Sequence, residues 1–420
     1  MIGDSLSLLL AGDALIVRPW SEVTDPAFLG LIELIRGADA AILNLETVIH
    51  EFKGYPQADS GGTYTHSPPE IAGELAWAGF DLLSHANNHT FDYGSIAVLE
   101  TLDHVARAGL VLAGSGRDLQ NARAPVYIER AGTTIGLVAM AATYILYGRA
   151  SRSRPDMPGR PGLNPLSVHH AKRTVVLPRP VVKLLRKIAR RLGRRFVDLD
   201  ADGFEFRVRV LEGRPAWFRD RWPQHRDRQA NLAAISEAAG NADIVVASIH
   251  AHHQGGWLRA FAAEAIDRGA DIVFVHGPHE VCGIELHGGK PIFYSLGDLV
   301  YEAGYVPKHP SDAYDKLKLG DEAGVEELRS APGPIHDLGR NRAVFEGAVA
   351  SLVFAGRKVE RIRLYPIDLQ FDATDGSRGR PRLADPVLGR KIIADIEKRS
   401  QAYQTRIRYD AAGNFGEIPC

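Results

Sequence analysis

Side chains able to hold a metal ion or carry a proton recur at the ends of short apolar runs. They are Asp13 in LLLAGDA, Asn44 and Glu46 in AILNLET, Asn88 and His89 in SHANNHTFDYG, His250 in VVASIHAHH, and His276 and His279 in FVHGPH. Converging carboxylate, amide and imidazole groups make a site for a divalent ion, and mixed oxygen and nitrogen ligation suits Mn, Zn or Fe better than Mg or Ca. Two ions about 4 Å apart would need a shared carboxylate, a role open to Glu46 or Asp13. Taken singly, each cluster also reads as punctuation: Gly-Asp as a turn, Asn44 as a capping amide, His89 as a satisfied imidazole, HGPH as a proline turn. Turns, however, do not need histidine at separate strand ends.

Hydrophobic periodicity supplies the elements that must position these residues. The apolar runs LSLLLAGD, AAILNLE, FDLLSHANN and VLAGSG alternate with amphipathic stretches near AFLGLIELIRG, PEIAGELAWAG and GSIAVLETLDHVARAG. That alternation predicts an α/β fold with helices layered on a sheet, and such folds place their chemistry at the carboxyl ends of strands. The pattern breaks over residues 147–228 and resumes with RQANLAAISEAAG, ADIVVASIH, GGWLRAFAAEAIDRG, ADIVFVHGPH and KPIFYSLGDLV. The expected organisation is one domain in two halves, 1–146 and 229–420, the second carrying a C-terminal helix, with 147–228 as an inserted basic subdomain. Within the insertion, VVKLLRKIARRLGRR at 181–195 puts Val, Leu and Ile on one face and Lys and Arg on the other. It reads either as a solvated amphipathic helix or as a surface for an acidic peptide, for instance a leader segment.

Composition narrows the partners. With 420 residues, 45% hydrophobic, 24% charged and a formal net charge of −1, the chain fits a globular protein without global attraction to nucleic acid or anionic membrane. The basic stretch lacks interleaved aromatics, so nucleic acid is not an expected partner. No run approaches the roughly 20 apolar residues of a membrane span. Cys282 and Cys420 are the only cysteines, too few for a disulfide framework, and a cytoplasmic location is the expectation.

The motifs AGD, NLE, NNHTFDYG, ADIVVASIH, HGPH and GGKPIFYSLGD follow one another between Leu8 and Leu299. In that order they resemble the CapA family, named for a poly-γ-glutamate capsule synthesis protein and similar in fold to calcineurin-like metallophosphoesterases. The resemblance implies a four-layer α/β/β/α sandwich and one or two divalent ions. It implies Asp13, Glu46, Asn88, His250, His276 and His279 as metal ligands, with His89 beside them as an acid/base or anion-stabilising residue. Leu15 stands where the Asp-x-His pair of true metallophosphoesterases has its histidine, so one metal site is a ligand poorer than in a phosphatase. Val275 replaces the glycine of the family's Gly-His-x-Pro-His, and HAHHQGGW replaces its His-Trp-Gly, adding His252 and His253.

Those extra imidazoles sharpen the functional expectation. A branch of the family resembles metal-dependent epimerases of lasso-peptide precursors. Removing and returning a Cα proton needs two proton carriers on opposite sides of the carbon, for which His89 and one of His252 or His253 are the candidates. A peptide epimerase is therefore the sharpest expectation. The alternatives are a metallohydrolase of an amide, glutamyl or phosphoester bond, and a non-catalytic binding protein. No Gly-x-Ser-x-Gly elbow supports a serine hydrolase. Ser295 is thus expected to orient a metal ligand, Asn44 to stand near the site as a substrate-contacting or supporting residue, and Asp92 to cap the following helix or orient His89.

Overall fold

The computed structural model describes residues 5–169, 198–199, 203–204, 222–331 and 337–419. Along the first strand, β1 (Ser5–Leu15), burial alternates in kind: Leu6, Leu8 and Leu10 enter one core, whereas Leu9 and Ala11 enter another. A strand sends successive side chains to opposite faces, so β1 must be covered on both sides. The same parity runs through β2 (Ala40–Leu45), with Ala40 and Ile42 in the first core and Ala41, Leu43 and Leu45 in the second.

Two further strands, β3 (Leu82–Ser84) and β4 (Val111–Ala113), extend this sheet in parallel. The hairpin β5 (Val126–Arg130) and β6 (Thr133–Ala141) opens a second sheet, continued by β7 (Ile244–His250), β8 (Ile272–His276), β9 (Ile284–His287) and β10 (Lys290–Phe293). The chain then returns to the first sheet with β11 (Asp298–Tyr301), β12 (Glu346–Ala355), β13 (Lys358–Asp368), β14 (Arg408–Asp410) and β15 (Phe415–Ile418). The first sheet has ten strands in the order β14-β15-β13-β12-β1-β2-β3-β4, with β11 beside β1 and the short strand Arg382–Leu383 beside β13. The second has six, in the order β9-β10-β8-β7-β6-β5.

Even-numbered residues of β1, β2, β7 and β8 share one core, so these sheets face each other. On the outer side of the ten-stranded sheet lie α1 (Pro26–Arg36) and α2 (Ile71–Ala78), with α3 (Gly94–Arg107) contributing Val105. Helix α1 begins where Asp25 accepts from the backbone of Ala27 at 2.8 Å and Pro26 fixes the first turn. It buries Phe28, Leu31, Ile32 and Ile35, each burial stabilising by about 2 kcal/mol. Helices α4 (His225–Asn241) and α5 (Gly256–Asp267) pack on β6, β7 and β8. The result is the α/β/β/α sandwich of the metallophosphoesterase type.

The chain divides into two units, each compact in itself: Met1–Ser167 with Pro223–Cys420, and Val168–Trp222. The first unit takes in residues 147–167 and 223–228, which the sequence pattern assigns to the insertion. Gly162–Leu163 pairs with Ser115–Gly116, and the backbone of Gln224 donates to Ser167 O, which holds both flanks in the large unit. The basic stretch 181–195 lies outside the described residues.

Candidate metal centre

Register brings the ligand candidates to one level. In the second sheet His250 sits opposite both His276 and Ala141. Ile244, Val246, Ile272 and Phe274 point into the core between the sheets, so alternation turns His250 and His276 inward at its rim. In the first sheet Asp13 is opposite Asn44, and Asn44 opposite Ser84. Asp13 has the wrong parity for that face by simple alternation. A register shift between Ala11 and Asp13 corrects it, the extra residue being Gly12. A Cβ at Gly12 would stand 1.8 Å from Gly297 O. The bulge therefore needs glycine, and it turns Asp13 toward the second sheet.

Three groups of side chains there have ligand atoms close enough to share an ion: Asp13 with His250 and His276, Glu46 with His250 and His252, and Asp13 with Glu46, His279 and Asp298. His250 Nε2 lies 3.5 Å from Glu46 Oε1, and His276 Nδ1 lies 3.5 Å from Asp13 Oδ1. His279 Nδ1 donates to Asp298 Oδ1 at 2.9 Å, leaving Nε2 facing Glu46 Oε1 at 3.8 Å. Ser248 donates to Ser84 Oγ at 2.9 Å, which makes His276 Nε2 the donor to Ser248 at 2.7 Å and leaves the lone pair on Nδ1. His250 Nδ1 is 3.0 Å from that nitrogen, near the roughly 3.3 Å separating two nitrogens on one tetrahedral ion.

Electrostatics tests whether a cation fits. Both oxygens of Glu46, Oδ2 of Asp298 and Oδ1 of Asn88 are buried without a hydrogen-bond partner. Burial pushes the Asp13 carboxyl up to about 7, against the pull of His279. Burial and then the Asp13 charge drive Glu46 well above the usual range, and burial raises Asp298. Burial also lowers His276 to about 3 and, with neighbouring imidazoles, holds His250 and His252 well below the ordinary value. For His279 burial works against the charge, but Asp298, Glu46 and Asp13 outweigh it and lift the imidazole well above its usual value. Buried carboxylates left without partners are costly, and neutral imidazoles are the ligand form. The donor set fits a divalent cation.

The stretch SHANNHTFDYG divides into several roles. His89 Nδ1 donates to Asp92 Oδ2 at 2.8 Å, and that oxygen also accepts from Thr65 N at 2.8 Å. Asp92 makes no cap at α3, so of its two expected roles it takes the orientation of His89. Asn88 donates to Gly61 O at 3.2 Å, leaving its amide oxygen unpartnered. Asn87, unassigned by sequence reasoning, donates to Leu45 O at 2.8 Å and accepts from the backbone of His89 at 3.1 Å, tying the end of β2 to His89. His85 is a structural residue, held between Ser115 Oγ at 2.8 Å and Thr47 O at 3.0 Å.

Asn44 Nδ2 donates to Asp13 Oδ1, an oxygen of a candidate ligand, at 2.7 Å. Ser295 Oγ accepts from Gly297 N at 3.1 Å, and among the described residues Ser248 is the serine bonded to a candidate ligand imidazole, that of His276. His252, expected as a proton carrier, stands 3.0 Å from His250 Nε2 inside a ligand group, whereas His253 is exposed. Asp298 is not among the residues singled out from the sequence as ligands, and the signal that could find it is Gly-Asp after an apolar run, as at Asp13. His279 adopts a left-handed φ of 60°, and Gly277 before it has φ 108°, where a Cβ would press the His250 ring at 2.9 Å. Such backbone is held only where the surroundings over-determine it.

The chain is 31% identical over 428 residues to an uncharacterized protein, y4sH, of Sinorhizobium fredii, covering 96% of this chain and 91% of that one. It is 25% identical over 313 residues to the PGA biosynthesis protein CapA of Bacillus subtilis, covering 72% of this chain and 65% of that protein. It is 24% identical over 299 residues to a probable polyglutamine synthesis accessory protein of Mycobacterium tuberculosis, covering 70% and 62%. Residues 7–303, which span every ligand candidate named above, match the family described as bacterial capsule synthesis protein PGA_cap, and the chain belongs to that family.

Proposed function

We propose that the chain is a metal-dependent enzyme acting on a peptide-type substrate, and that hydrolysis of an amide or glutamyl bond is its reaction. The observation that carries this reading is the His89–Asp92 pair: one imidazole, oriented by one buried carboxylate, within electrostatic reach of His250 and His252. Divalent ions held by Asp13, Glu46, Asn88, His250, His252, His276, His279 and Asp298 would supply Lewis acidity toward a carbonyl oxygen. His89 then does what hydrolysis needs, taking a proton from water and returning it to the leaving nitrogen. Asp92 fixes the tautomer, since its oxygen holds the proton on Nδ1 and leaves Nε2 as the base. Relatives named for PGA biosynthesis and polyglutamine synthesis support a substrate of linked amino acids.

Peptide epimerisation is the second reading. It asks for another proton carrier facing His89 across the carbon, and the exposed His253 beside His252 is the residue that favours it. Incubating the Mn²⁺-loaded protein with candidate peptides in D₂O separates the readings. Hydrolysis yields fragments, whereas epimerisation yields intact peptide one mass unit heavier at Cα. Neither product from any peptide, with metal bound, would sink both readings in favour of a binding protein.

A further inference from the structure

The segment that leaves β6 touches the metal centre before it builds a second site. Ala142 N donates to His250 O at 2.8 Å, and Thr143 Oγ1 accepts from His252 N at 3.0 Å. Gly148 then packs on Phe91, two residues beyond His89, and the chain returns to bridge Pro165 with Ala141. Between these anchors lies a hollow of about 340 Å³, whose charged lining among the described residues is Arg149, Arg152, Arg154, Arg160 and Arg226 against a single carboxylate, Asp227.

The charges in this hollow do not balance. Asp227 is engaged, 3.5 Å from Arg123 and accepting from Ser167 N at 3.2 Å. Arg154 pairs with Asp156 at 2.9 Å, and Arg160 donates to the carbonyl of Arg149 at 2.8 and 3.1 Å. Arg152 and Arg226 are exposed and have no acidic partner among the described residues. Such a concentration of guanidinium groups, in a chain of net charge −1, is a local field for an anion, and the guanidinium fork matches a carboxylate bidentately. The same segment exposes Leu146, Tyr147 and Met157, each by 64–65%. An occupant should therefore carry carboxylates and apolar side chains together. A nucleic acid would ask for a row of stacking faces, and in the described 141–165 segment Tyr147 is the one exposed aromatic.

We infer that the arginine-lined hollow docks an acidic peptide segment of the substrate, which the 141–165 segment couples to the metal centre. The inference rests on the peptide reading of that centre and adds a recognition site to it. The test is fluorescence anisotropy of the Mn²⁺-loaded full chain with a short labelled peptide of Glu, Leu and Gly. Binding should weaken by about tenfold or more in the double variant Arg152→Glu, Arg226→Glu, and should vanish when Gln replaces Glu in the peptide. Metal content, and turnover of a short neutral peptide, should be unchanged in that variant. Equal binding by variant and wild type, or no loss with the Gln peptide, overturns the docking site. So does tighter arginine-dependent binding of an oligonucleotide or of phosphatidylglycerol vesicles. If no peptide is turned over but the variant still loses the acidic probe, the catalytic reading fails and the docking site stands.

Discussion

At the scale of residues, His89 owes its usefulness to a neighbour three positions away. Asp92 is buried and already accepts from Thr65, so it cannot swing off the imidazole cheaply. Substituting His89→Asn should retain the metal, measured by elemental analysis, and lower turnover about 100-fold or more, the usual size of a lost general base. Asp92→Asn should lower turnover as well, since an amide can present its N–H to Nδ1 and impose the wrong tautomer. His85 allows a prediction free of the metal, because burial lowers its pKa to about 4, opposed only by the bond to Thr47 O. A histidine with a depressed folded-state pKa takes up its proton more readily when unfolded. Its contribution is therefore complete above about pH 6.5 and is lost as pH falls toward 4, by about 3 kcal/mol. Urea melts of wild type and His85→Gln across that window should converge as pH drops. A constant gap would refute the argument.

At the scale of elements, the centre depends on one irregularity and several regular strands. Gly12→Ala places a methyl group against the carbonyl of Gly297, so either the bulge relaxes or β1 parts from β11. We expect a loss of about 3 kcal/mol in unfolding free energy together with weakened metal binding. Gly73→Ala, in α2 with open space around the new methyl, should stabilise by about 0.5–1 kcal/mol and leave the metal untouched. This contrast also shows what could be read from sequence. His250 and His276 were legible, because alternation from Val246 and Phe274 carries them to the same face. Asp13 was legible as a residue type but not as an inward one, since a bulge leaves no trace in hydrophobic periodicity. Sequence spacing leaves His252 and His253 as equal candidates for a proton carrier, because it does not show that the ring of His252 turns back onto His250. Ser248 went unseen inside an apolar strand, where only its partner in the other sheet gives it a role. The layered architecture, by contrast, follows from local patterns that repeat along the whole chain.

At the scale of the molecule, a cation at the proposed centre would be thermodynamically linked to folding. With Asp13 raised to about 7 by burial, the metal-free protein favours the protonated carboxyl. That contribution is full below the unfolded pKa near 4 and is lost as pH rises through 7, by about 4 kcal/mol. A bound ion holds the carboxylate ionised and abolishes the loss. The stability gap between Mn²⁺-loaded and chelated protein should therefore widen from pH 4 to pH 7, as followed by denaturant midpoint. A gap that narrows over the same range would argue that the ion binds elsewhere. Because His85 titrates in both forms, its effect cancels in the difference.

The Ser84–Ser248 hydroxyl bond adds a mechanical consequence. It ties the sheets at the level where Asp13 faces His250 and His276. The two sheets thus form the jaws of a caliper, one tipped with carboxylate and the other with imidazole. Side chains such as Leu8 and Phe274, behind the tips, set the opening. In such an instrument the preferred ionic radius would be a reading of core volume, so ion selectivity would be tunable from residues that never touch the ion.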